Sequence, residues 1–253
     1  MEENQWTANL LLLNQEHEDG KQQLELLQEL YELGFRSFEV RREFFFNIDE
    51  EIPAIRNWAQ EHNIELFYSI PDELFVDGML NSKLLQYIKE SHTMGIKKAK
   101  FNIGDYEHFQ GDFKASFETL EKTLDGLEIN VENDQTQTSG RIKPILKFLN
   151  DIKNSQINVG YVYDLGNWEF TGENFFEAAE TLKNFIRYIH VKDVTEGPEV
   201  RPLDEGQLDW RKALDVLPTN VPIALEYPVL SNAVIESGIN KLNSYKKGSA
   251  QNE

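Results

Sequence analysis

Cysteine is absent from the 253-residue chain, which excludes disulfides and thiolate-bound metals without by itself fixing a redox compartment. Basic side chains are scarce. Against 44 Asp and Glu stand 25 Lys and Arg, a formal net charge of −19, so a phosphate polymer or an anionic bilayer meets repulsion where counterion release normally supplies affinity. Neither nucleic acid nor membrane is an expected partner. Long apolar runs are also missing: the opening MEENQWTANLLLLN holds only four consecutive leucines, too few for a signal-peptide core or a membrane span, and a soluble cytoplasmic protein is expected. No GxGxxG, P-loop pattern or low-complexity linker interrupts the chain.

What is present is regular. With 40% hydrophobic residues the chain can build a full core, and one domain over residues 1–253 is expected. Apolar runs with β-branched or aromatic residues predict eight strands, at 8–13, 37–41, 66–70, 98–103, 128–132, 159–164, 186–192 and 222–227. Helical spacing of leucines predicts helices at 20–33, 49–62, 82–94, 112–124, 140–154, 173–184, 209–216 and 232–246. Strict β/α alternation of this length, without a dinucleotide fingerprint, favours a closed (β/α)8 TIM barrel over a doubly wound sheet.

Four metal-competent side chains stand at the ends of four of these strands: Glu132 in EINVEND, Asp164 in VGYVYDLGN, His190 in YIHVKDV and Glu226 in PIALEYP. In a parallel barrel such ends converge on one rim, where active sites are built. Strand alternation supports the grouping, because Ile129 and Val131, Ile189 and Val191, and Ile223 and Leu225 occupy the parity opposite to Glu132, His190 and Glu226 respectively. The ligands then face inward. Two glutamates, an aspartate and a histidine form a hard, oxygen-rich set suited to one divalent ion, Mn²⁺ foremost, with Mg²⁺, Co²⁺ and, less naturally, Zn²⁺ as alternatives.

Inward parity also places Glu39 and Arg41 on the second strand and Lys98, Lys100 and Asn102 on the fourth. Two readings of Glu39 and Lys100 stand side by side: an interior ion pair between them, or contact with a polyol substrate. Lys192 shares the face of His190 and either holds an anionic or carbonyl oxygen of the substrate or pairs with Asp164 or Glu226. Trp168 either stacks on a sugar ring or packs under the rim. Arg201 lies in the unpatterned stretch 195–207, which could close over the site, and is either a phosphate or carboxylate clamp or a solvated loop arginine.

The tracts VEND, DLGN, HVKD and LEYP occur in that order, with 32, 26 and 36 residues separating Glu132, Asp164, His190 and Glu226. On these motifs, and on DEGQLDW after HVKD, the chain resembles the xylose-isomerase-like TIM barrel superfamily. That group takes in sugar phosphate isomerases and epimerases, inosose dehydratase and the AP endonuclease family 2 enzymes such as endonuclease IV. The resemblance implies that Glu132, Asp164, His190 and Glu226 bind one divalent ion and that Glu132 and Glu226 are the acid/base pair of a sugar isomerase or epimerase working through a metal-stabilised enediolate. An inosose-dehydratase-like lyase on a similar polyol and a non-catalytic ligand-binding barrel are the alternatives. A homo-oligomer would be in keeping with the superfamily.

The chain departs from the pattern where many relatives carry histidine, at Asn167 and at Asp134. An amide at Asn167 can bind a substrate hydroxyl but cannot shuttle protons as imidazole does. A three-metal, histidine-rich endonuclease centre is not available to a chain with five histidines, of which only His190 ends a strand.

Overall fold

The computed structural model describes residues 5–249; the ends of the single-domain expectation, residues 1–4 and 250–253, lie outside them. Eight strands, β1 (Thr7–Asn9), β2 (Ser37–Arg41), β3 (Glu65–Val76), β4 (Lys98–Gly104), β5 (Glu128–Glu132), β6 (Val159–Asp164), β7 (Ile186–Val191) and β8 (Ile223–Leu225), pair in parallel in chain order. The barrel closes where β8 meets β1, with Thr7 opposite Ala224 and Ala8 opposite Leu225. The main helices are α1 (Gln23–Glu32), α2 (Ile48–Glu61), α3 (Leu84–Met94), α4 (Phe113–Leu124), α5 (Ile142–Asn154), α6 (Phe175–Leu182), α7 (Trp210–Leu214) and α8 (Asn232–Ser249). Among the described residues no helix is long and apolar enough to cross a membrane.

Amphipathic spacing seats each helix on the barrel. In α5, Ile145, Phe148, Leu149 and Ile152 recur at helical intervals and are buried, whereas Lys147 and Asp151 on the outer face pair with each other. Caps define the ends: Asp112 accepts from Ala115 N at the start of α4, and Asn174 accepts from Phe176 N and Glu177 N at the start of α6. Outward strand residues such as Phe38, Val40, Ile129, Val131, Ile189 and Val191 lie fully buried beneath this helical layer. Inside the barrel Phe67 stacks on Tyr188 with ring centroids 4.6 Å apart, and Val162 and Ala224 complete a small apolar plug. Charged residues occupy the interior above it.

The structure departs from the expected elements where a side chain or turn redirects the backbone. β1 ends at Asn9, whose Oδ1 accepts from Leu11 N and turns Leu10–Leu13 into a 3-10 helix rather than more strand. β3 runs on to Val76 and folds back through Asp77 and Gly78, both at positive φ, to pair antiparallel with Met79–Leu80. The Asp-Gly pair is a hairpin signal that the sequence carried openly. The stretch 195–207 holds half of a second hairpin, Val200–Arg201 against Asp193–Val194. That loop is pinned: Asp193 Oδ1 accepts from Val194 N and Leu208 N, Gln207 N donates to Val194 O, and Leu203 is fully buried.

Candidate active site

Register brings the four strand ends together. Asp164 on β6 lies opposite His190 on β7, His190 lies opposite Ala224 on β8, and Glu132 on β5 lies opposite Val162 on β6. One donor atom each from Glu132, Asp164, His190 and Glu226 falls within 4.8 Å of all the others, and every one of these residues is buried. His190 Nδ1 is 2.7 Å from Glu132 Oε1, 3.2 Å from Glu226 Oε2 and 4.0 Å from Asp164 Oδ2. Its other ring nitrogen, Nε2, lies 2.8 Å from Glu39 Oε2 across the barrel. An ionised Glu39 can only accept, so Nε2 carries the proton in that contact and Nδ1 is turned to the carboxylates.

Local sequence explains how each carboxylate is aimed. Asp164 Oδ1 accepts from Gly166 N at 2.9 Å and Asn167 N at 3.1 Å, starting the short helix Asn167–Thr171 and leaving Oδ2 for the cluster. Asn133 holds the neighbouring backbone, donating to Asp164 O and accepting from Asp164 N and the Tyr161 hydroxyl. Lys100 Nζ donates to Glu132 Oε2 at 2.5 Å. Glu226 Oε1 accepts from Asn9 Nδ2 at 3.0 Å and Arg41 Nη1 at 3.2 Å. Lys192 Nζ stands 2.5 Å from Asp164 Oδ2 and 3.0 Å from Glu226 Oε2.

The cluster therefore gathers four carboxylates, those of Glu39, Glu132, Asp164 and Glu226, around the permanent cations Arg41, Lys100 and Lys192. Arg41 also pairs at the rim with Glu43, so acidic groups outnumber these cations and His190 or a metal can supply the balance. Burial opposes a charge on His190, but Glu226, Glu39 and Glu132 outweigh it and hold the imidazole pKa well above its ordinary value. Burial likewise raises Glu226, yet His190 and Lys192 bring it well below the usual carboxylate range. Glu132 is lowered in the same way, burial being overcome by Lys100 and His190. Burial, the largest influence, pushes Asp164 up, Lys192 pulls it down by less, and repulsion from Glu226 and Glu132 adds to the rise, taking it to about 8. A dication would relieve this crowding.

The donors fit such an ion. Among the described residues Glu132 Oε1, Asp164 Oδ2 and His190 Nδ1 are buried and face one another without a hydrogen bond of proper geometry, Asp164 Oδ2 having only the close ammonium of Lys192. Buried polar atoms of this kind need a partner. Three carboxylate oxygens and an imidazole nitrogen, the imidazole backed by an outer carboxylate, could hold a divalent cation by their donor chemistry.

The other residues singled out in the sequence are distributed unevenly. Glu39 pairs with His190 and Lys100 with Glu132, so the interior pair between Glu39 and Lys100 is replaced by two contacts to the ligand set. Lys192 is in the cluster. Asn167 lies beside it, but its amide is spent on Asn133 O and on Gln135 Nε2. Asp134 is turned away to Thr136 and Ser139. Trp168 is fully buried with its ring 5.8 Å from that of Tyr163, which is packing beneath the rim. Arg201 sits on the outer hairpin, 2.6 Å from its near neighbour Glu199, and makes no ion pair to the four clustered residues. Two contributors were not anticipated, Asn9 and Asn133. Inward parity at Asn9, and the asparagine directly after Glu132, were the available signals.

The chain matches the family described as xylose isomerase-like TIM barrel over residues 27–245. It belongs to that family. Within the xylose isomerase-like barrels of known structure it resembles the probable 3-DHS dehydratase AsbF of Bacillus anthracis at 14% identity and TM-score 0.70, covering 96% of this chain and 99% of that one. It also resembles the IOLI protein crystallised with a bound zinc atom, at 15% identity and TM-score 0.67, covering 96% of each chain. A third neighbour is an L-ribulose 3-epimerase, at 13% identity and TM-score 0.67, covering 97% of each. At these identities the likeness is one of fold. No curated protein sequence matches the chain.

Proposed function

We propose that this one-domain barrel is a cytoplasmic, divalent-metal-dependent isomerase or epimerase of a small sugar or sugar derivative, with Glu132 and Glu226 as its acid/base pair. The observation that carries the reading is the convergence of both glutamates with Asp164 and His190 on one buried point at the C-terminal rim of the barrel. Mn²⁺ is the proposed ion, and the proposed partner is a small polyol rather than nucleic acid or membrane. When bound, a divalent ion supplies Lewis-acid polarisation of substrate oxygens and stabilises negative charge developing on them.

The remaining chemistry falls to the chain. One ionised glutamate oxygen accepts the proton from the substrate carbon and the electron pair moves onto the adjacent carbonyl oxygen; the other glutamate, having taken up a proton from solvent, returns it to the opposite face as the carbonyl re-forms, and the first then gives its proton to solvent. Glu39 fixes the ring of His190, while Lys100 and Arg41 fix the two glutamates, so the donors arrive already oriented. The buried cations also favour the enediolate, whose charge forms beside them.

The test is exchange of substrate carbon-bound hydrogen with solvent deuterium, followed by NMR over a panel of ketoses in the presence of Mn²⁺. Glu132→Gln and Glu226→Gln should each abolish exchange. Binding without exchange in the unsubstituted protein would defeat the proposal and leave a sensor. A second reading, dehydration of a related polyol, is supported by the likeness to AsbF, a probable 3-DHS dehydratase. It predicts loss of the mass of water from the product.

A further inference from the structure

A dication held by Glu132, Asp164, His190 and Glu226 would draw on oxygens that already carry a cation of the chain's own. Lys192 Nζ lies 2.5 Å from Asp164 Oδ2 and 3.0 Å from Glu226 Oε2. The same two oxygens are the ones that pair with His190 Nδ1, at 4.0 and 3.2 Å. The other buried cations are placed differently: Lys100 donates to Glu132 Oε2 and Arg41 to Glu226 Oε1, neither of which is the oxygen nearest to His190 Nδ1. Lys192 alone of the three shares donor atoms with the ligand set.

The backbone is arranged to seat this lysine. Its side chain is buried and runs directly over Gly166, where an added Cβ would come within 2.6 Å of Lys192 Cγ and 3.0 Å of Cε. The glycine of DLGN therefore leaves the passage through which the lysine stem reaches Asp164 and Glu226. An ammonium and a dication bound to the same two oxygens repel strongly in so dry a setting, and the oxygens cannot satisfy both as well as either alone.

Taking the metal reading above as its basis, we infer that Lys192 sets the metal affinity of this site: its ammonium competes with the dication for Asp164 Oδ2 and Glu226 Oε2, and metal entry displaces it from them. The lysine is an internal counter-cation that stabilises the carboxylates before metal arrives and weakens their hold on it afterwards. Removing it leaves two donor oxygens uncompensated and raises affinity.

Calorimetric titration of the full chain with Mn²⁺ and with Zn²⁺, at fixed pH and ionic strength, tests this. Lys192→Gln should bind at least about tenfold more tightly than the unsubstituted protein, whereas Lys192→Arg, which keeps the charge, should stay within about threefold. Equal or weaker binding by Lys192→Gln, with the unsubstituted protein binding normally, overturns the inference and leaves the metal site standing. Absence of binding in both proteins overturns the metal reading and this inference with it. A measurement on the unsubstituted chain covers the case in which the variant fails to fold. Amine acetylation mapped by mass spectrometry should rise at Lys192 when Mn²⁺ is added, relative to the exposed Lys114, and unchanged labelling overturns the displacement.

Discussion

Replacing Glu39 by glutamine keeps the length of the side chain and removes the charge that holds His190. Glu39 and His190 are both fully buried, and Glu39 Oε2 lies 2.8 Å from His190 Nε2. The carboxylate can only accept, which places the proton on Nε2 and turns Nδ1 toward Glu132, Asp164 and Glu226; a glutamine offers a donor as well and no longer enforces that tautomer. The charge count shifts too. Glu39 is one of the buried carboxylates that would draw a dication to this point, and Glu39→Gln removes its charge. Loss of an outer carboxylate behind a metal-bound histidine typically weakens metal binding about 10–100-fold, or roughly 1.4–2.7 kcal/mol. We expect that loss in Mn²⁺ and Zn²⁺ titrations of Glu39→Gln, with an unchanged circular dichroism spectrum. Unaltered affinity in the folded variant would refute the idea that Glu39 orients the ligand. The sign is opposite to that expected for Lys192→Gln, so the two variants together separate electrostatic control from general damage to the barrel.

Asp193→Ala should cost about 1–3 kcal/mol in urea unfolding, because the buried carboxylate that accepts from Val194 N and Leu208 N would leave both donors unpaired. Hydrogen exchange in residues 195–207 should rise at the same time, and unchanged protection there would refute the pinning of the loop. Asp204 is held down to about 2 by its hydrogen bond from Arg211, against burial, with help from Trp210 and Lys241. A lowered folded-state pKa contributes stability that is present above the ordinary value of 3.8 and is lost as pH falls through about 2. With the Asp204 side chain 36% exposed, solvent screening limits the contribution to about 1 kcal/mol. The stability gap between the unsubstituted protein and Asp204→Asn should therefore narrow between pH 6 and pH 3, and a constant gap would contradict the pairing.

Period and parity carry the barrel in the sequence. The runs at 128–132 and 159–164 are strands over those same residues, because each alternates buried outward residues with inward ones between turn signals. Elements were misjudged where a short side chain competes with the ladder, as Asn9 does when it caps Leu11 N, or where a strand outlasts its apolar run, as β3 does up to the Asp77–Gly78 turn. Neither depends on hydrophobic periodicity. Loops showed the same limit, since Arg201, in the stretch after β7, and Asp134, just beyond β5, are claimed by local partners on the outer hairpin and in the turn after β5.

The chain by itself determined that Glu132, His190 and Glu226 face inward at strand ends and that Asp164 ends the strand between them, because inward parity is a property of each strand alone. Which charge meets which was decided by the closed barrel. Glu39 and His190 are 151 residues apart and touch across the interior, while Lys100 turns to Glu132 on the adjacent strand rather than to Glu39. Such pairings depend on the stagger of eight strands around a closed ring, so a residue's neighbour across the interior is set by strand tilt and register rather than by its position in the chain.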